Sequence, residues 1–137
     1  MYLGRLVTIS FFSTVDASSK KTLVSQRINV PFRTTRIRAS FAPGVNRLMK
    51  LYFYISPDPS APSTEAPTGY NVLAQTGQAT YISGDNDVKD FQMEIMETVR
   101  GQYLKVYAAN EDTYPHTIDV QITVEFAYLE ERAKPKR

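Results

Sequence analysis

Few side chains in this 137-residue chain could do chemistry, and their spacing says what each could do. Cysteine is absent, which removes thiol nucleophiles, disulfides and thiolate metal sites together. His116 is the sole histidine, in the turn-like run Tyr114-Pro115-His116-Thr117. Histidine can serve as a general base near neutral pH, but a single one at a turn is ordinarily plain surface. Without cysteine, one histidine leaves zinc short of its usual ligands. No phosphate-cradling glycine loop and no nucleophile elbow occurs. Asp85, Asp87 and Asp90 follow Gly84 and could offer oxygen ligands to calcium, although Asp-Asn-Asp is also simply good turn chemistry. Glu94 and Glu97 would be a carboxylate pair, but three residues apart on a strand they point to opposite faces and cannot share one bond. The expectation is no catalytic, cofactor or metal residue, and no enzyme.

These residues would be carried by strands. Val7, Ile9 and Phe11 alternate with Thr8 and Ser10; Val24, Ile28 and Val30 share a parity; Ile37, Ala39 and Phe41 alternate with Arg36, Arg38 and Ser40. Met49, Leu51, Phe53 and Ile55 alternate with Lys50, Tyr52 and Tyr54, and Leu104, Val106 and Ala108 with Tyr103, Lys105 and Tyr107. The run Ile118, Val120, Ile122, Val124, Phe126, Tyr128 is the longest, as expected of a central or arm-like strand. Period two is the mark of a strand with one buried face. Residues 88–99 fit a strand through Phe91, Met93 and Ile95 and a helical stripe through Val88, Phe91, Ile95 and Val99; the all-β surroundings favour the strand. Pro57, Pro59, Pro62 and Pro67 keep 57–69 out of a central sheet and predict a long surface loop. About seven or eight strands separated by turns predict an antiparallel, jelly-roll-like β-sandwich.

The length suits one domain, residues 1–137, ending in a short basic tail over 132–137. No stretch approaches the ~20 apolar residues of a membrane helix, and the Leu6–Phe12 run, interrupted by Thr8 and Ser10, reads as a strand rather than a leader. The net charge of +2 conceals an asymmetry: residues 1–50 hold nine Lys or Arg against Asp16, whereas 51–131 hold three against thirteen acids. Such a split would suit head-to-tail contacts between copies, unless the topology mixes the segments in space.

Parity places Tyr52 and Tyr54 opposite Leu51 and Phe53, and Tyr103 and Tyr107 opposite Leu104 and Val106, so these tyrosines face outward. Outward aromatics are covered by loops, meet a partner, stack on sugar rings as in carbohydrate-binding modules, or are ordinary strand formers. The absence of Trp weighs against sugar. Arg36 and Arg38 share a strand face and, with the tail, could touch nucleic acid, but no aromatic-interleaved basic platform accompanies them. The expected interface comprises Arg36, Arg38, Tyr52, Tyr54, Tyr103 and Tyr107, with further copies of the chain as partner and neither membrane nor nucleic acid.

The run Tyr103-Leu104-Lys105-Val106-Tyr107-Ala108-Ala109-Asn110, the turn Tyr114-Pro115-His116-Thr117 and the strand over 118–128 resemble the small jelly-roll proteins that decorate or cement bacteriophage capsids. The resemblance covers a minor part of the chain. It implies a β-sandwich, often trimeric, assembled in the host cytoplasm, bridging capsid subunits in the virion and carrying no catalytic residues. A filament or tail subunit would suit the same pattern.

Overall fold

Strands form where the alternation puts them. The computed structural model describes residues 2–77 and 79–128; the basic tail over 132–137 lies outside them. Eight strands follow in order: β1 (Tyr2–Val15), β2 (Lys20–Val24), β3 (Phe32–Phe41), β4 (Met49–Ser56), β5 (Tyr70–Asn71), β6 (Asp87–Glu97), β7 (Tyr103–Asn110) and β8 (His116–Tyr128). One 3-10 turn, Leu73–Thr76, ends at Gly77 in the left-handed conformation.

The strands divide into two four-stranded sheets, β1-β8-β3-β6 and β2-β7-β4-β5. Every ladder is antiparallel. The last strand inserts between the first and third, and the seventh between the second and fourth, so early and late strands are neighbours. This nested arrangement is the jelly roll.

The core lies between the inner faces. Ile118, Val120, Ile122 and Val124 of central β8 meet Leu51, Phe53 and Ile55 of β4 and Leu104 and Val106 of β7, all buried. The 88–99 segment is a strand in β6, and its carboxylates do part: Glu94 is outward beside Arg33, while Glu97 is buried under the Tyr70 hydroxyl, which donates to it at 2.9 Å. Burial first, then that bond, pushes the Tyr70 phenol far above its ordinary pKa.

Three places depart from simple alternation. In β2 it is Leu23, partly buried, rather than Val24 that packs against the core, and the chain leaves the sheet after Val24; Ile28 returns for an isolated bridge to Gln102. In β3 the register shifts between Thr34 and Arg36: Thr35 is an extra residue against β8, whereas in the β3–β6 ladder the extra residue is on β6, between Gln92 and Ile95, and the parity of β3 inverts there. The bulge keeps Arg33, Arg36 and Arg38 on one outer face although 33 and 36 are three apart. β7 alternates in sequence yet is buried on both sides from Leu104 to Asn110.

The charge asymmetry is cancelled by topology. Basic β3 lies between acidic β6 and β8, and Arg33 pairs with Glu125 and Glu94, Arg36 with Asp90 and Lys50 with Glu111.

Candidate functional site

The six expected interface residues fall on opposite sides of the sandwich. Arg36 and Arg38 lie on the outer face of the first sheet; Tyr52, Tyr54, Tyr103 and Tyr107 lie on that of the second. The two faces differ in what covers them.

The chain covers much of the second sheet itself. Leaving β4, the proline-rich loop 57–69 folds back across the outer face, where Thr22 Oγ1 donates to the Pro62 carbonyl at 2.6 Å. Asp58 is the clamp. Its carboxylate accepts Ser60 Oγ at 2.5 Å, Ser60 N at 2.9 Å, Thr68 Oγ1 at 2.6 Å and Lys105 Nζ at 3.2 Å. These donors, the two hydroxyls foremost, hold the carboxyl well below the usual carboxylate range. The loop rejoins the sheet at Gly69, whose φ is +110° and where a Cβ would overlap the Ile55 carbonyl oxygen. Under this roof Lys105 is 0% and Tyr107 6% exposed. Tyr52 stacks against Tyr107 and Tyr81 with centroids 5.7 and 5.5 Å apart and rings inclined by 49° and 41°. Lys50 Nζ lies 5.3 Å from the centre of Tyr81. Rings so inclined pack on each other and offer no parallel platform to a sugar. Burial raises the Tyr54 phenol.

Among the described residues no such roof covers the first sheet. Its outer face reads as four rows across β1, β8, β3 and β6. The end rows are Leu6–Glu125–Arg33–Met96 and Phe12–Asp119–Ser40–Val88, and between them lie Thr8–Thr123–Arg36–Gln92 and Ser10–Gln121–Arg38–Asp90. All four corners are apolar and exposed: Leu6 by 65%, Phe12 by 73%, Val88 by 48% and Met96 by 40%. The middle is polar and internally paired, with Arg36 forking onto Asp90 through Nε at 2.8 Å and through Nη2. That fork holds the Asp90 carboxyl low and the Arg36 guanidinium high. Sequence reasoning missed the four corners. For three of them the signal was present as apolar doublets that break alternation, Leu6-Val7, Phe11-Phe12 and Ile95-Met96.

The chemical candidates do not converge. Asp85 Oδ1 accepts the backbone of Gly44 at 3.0 Å and of Asn46 at 3.1 Å, Asp87 pairs with Lys89, and Asp90 is held by Arg36. Each carboxylate is engaged separately, and among the described residues no three His, Cys, Asp or Glu side chains gather to hold a metal ion. His116 Nε2 meets Asp112 Oδ2 at 2.7 Å, half-sheltered in the β7–β8 turn, and that bond lowers the Asp112 carboxyl. Nearby, buried Asn110 donates to the carbonyls of Val15, Asp16 and Tyr114, lacing this turn to the β1–β2 turn. The pair serves as turn structure.

Strand order thus defines a jelly-roll β-sandwich with one roofed and one bare sheet. No protein-family model and no curated protein matches the chain. Among solved structures, a mitogen from Yersinia pseudotuberculosis is similar at 9% identity and TM-score 0.48, over 90% of this chain and 91% of that one. A chain of broad bean stain virus is similar at 9% identity and TM-score 0.41, over 96% and 93%. A chain of infectious bursal disease virus, Gx strain, is similar at 10% identity and TM-score 0.37, over 92% of this chain and 32% of that one. Likeness this remote adds nothing to what the strand order already establishes.

Proposed function

We propose that this chain is a non-catalytic structural subunit, a virion capsid decoration or stabilising protein of the bacteriophage type, acting through contacts between subunits. One observation carries the reading: the bare outer face of the first sheet, with apolar residues at its corners and paired charges at its centre. Exposed apolar side chains give such a face surface to bury, and charges beside them fix its orientation on a partner. A face of four strands and four rows is roughly 15 by 20 Å before side chains are added, so it is one contact of an assembly rather than the whole of it. Arg36 and Arg38 belong to this face. Of the tyrosines, Tyr52, Tyr54 and Tyr103 retain partial exposure for a second contact, and Tyr107 is buried with its ring packed on Tyr52.

The test is sedimentation over a wide concentration range, followed by binding to empty capsid shells. Concentration-dependent oligomers, trimers among them, or retention on shells are expected. A strict monomer that ignores shells would contradict the proposal.

A further inference from the structure

Four edge strands close the sides of the sandwich, and three are guarded against pairing with another chain. β5 is two residues long, and β2 is five residues long and begins Lys20-Lys21. β6 carries Asp87, Lys89, Asp90, Glu94 and Glu97 within eleven residues. Shortness and charge are the ordinary means of blunting an edge. β1 has neither: it runs for fourteen residues, with Arg5 its one charge. Beside it a groove of about 410 Å³ opens between the sheets, lined by Val7, Thr8, Ile9, residues 25–28 and Phe126. Lys21 Nζ closes the far end, donating to Ser13 Oγ at 2.6 Å and the Thr14 carbonyl at 3.4 Å.

We propose that β1 pairs antiparallel with β1 of a second copy about a twofold axis at Ile9, joining two first sheets into one continuous eight-stranded sheet. The inference rests on the assembly reading and gives it a surface and a register. Leu6 and Phe12 lie three residues either side of Ile9. The axis therefore sets Leu6 beside the partner's Phe12, and Phe12 beside the partner's Leu6, on the bare outer face. Thr8 falls beside the partner's Ser10 between them. On the inner side Ile9 meets the partner's Ile9 and Val7 meets the partner's Phe11, at the groove. Moving the axis by one strand repeat, to Val7 or Phe11, breaks both Leu–Phe pairs. Self-complementarity of this kind is what a twofold contact requires. The overlap Arg5–Ser13 offers about eight to ten main-chain hydrogen bonds, near the number in a standard interface.

The chain has no cysteine, so introduced thiols have no competitor. In the stated register positions 8 and 10 of opposite copies have Cα atoms about 4.5–5.5 Å apart, within disulfide reach, whereas 8 and 8, or 10 and 10, are diagonal at about 7–8 Å and beyond it. Mild oxidation of a mixture of Thr8→Cys and Ser10→Cys chains is expected to give about tenfold more covalent dimer than either chain alone. Both sites are exposed, so neither substitution disturbs the core. A mixture that cross-links no better than the single variants overturns the pairing. Sedimentation and shell binding of the unaltered chain separate the two failures: oligomers without mixed cross-links, or a strict monomer that binds shells, overturn the β1 contact alone, and a strict monomer that ignores shells overturns both proposals.

Discussion

Tyr107 and Phe12 are both aromatic residues on the outward side of strands whose other side builds the core, yet Tyr107 is covered and Phe12 is bare. Alternation assigns them the same status. What separates them is a loop anchored far away in sequence: Asp58 and Lys105 are 47 residues apart, and their contact roofs one sheet while no described residue roofs the other. Outwardness is a property of the strand, and exposure is a property of what the rest of the chain does. The roofed face contributes to the stability of the subunit, and the bare face is left for association.

Paired substitutions break the comparison most sharply. Tyr107→Ala should lower unfolding free energy by about 3 kcal/mol, as large-to-small changes at buried aromatics do, whereas Phe12→Ala should change it by no more than about 0.5 kcal/mol. Urea midpoints of the two variants measure this, and equal losses would erase the distinction between the faces.

Gly69→Ala attacks the roof through its hinge. A side chain at φ +110° meeting the Ile55 carbonyl should cost about 1–3 kcal/mol and loosen the loop, seen as faster amide exchange in β7 than in β8.

Acid should act on the same clamp. Because the folded Asp58 carboxyl lies below its unfolded value of about 3.9, its contribution is complete above that pH and is lost as pH falls through the lower folded value. The roof should hold at pH 4 and loosen nearer pH 2, followed by tyrosine fluorescence. Asp58→Asn should abolish that step while leaving the first sheet's response unchanged.

Smallest is Arg36→Gln. The Arg36–Asp90 fork is exposed and screened, so the thermal midpoint should hardly move, and added salt should reduce even that difference.

Much of the fold was legible because strands advertise themselves locally. β1, β3, β4, β7 and β8 each carry a run of alternation, and the longest, in β8, takes the central place its length suggests. Less visible were β5, too short for any period, and the parity inversion at Thr35, which only the neighbouring strands reveal. At the surface, parity located Arg36, Arg38 and the four tyrosines on outward faces but could not show that they lie on different sheets. Nor could it show that the proline-rich loop would bury Lys105 and Tyr107, since that depends on a contact formed only after folding. Three of the apolar corners, Leu6, Phe12 and Met96, stand where alternation fails, in doublets of which only one member has a place in the core, and Val88 stands alone between Asp87 and Lys89.

Association of two variants measured side by side tests the central claim, that the bare sheet is the assembling one. Leu6→Ser with Phe12→Ser alters the first sheet, and Tyr81→Ser the side of the second. In sedimentation velocity across concentration, the double variant should remain monomeric where the unaltered chain and Tyr81→Ser form oligomers. Undiminished association of the double variant, or its loss in Tyr81→Ser alone, would contradict the account.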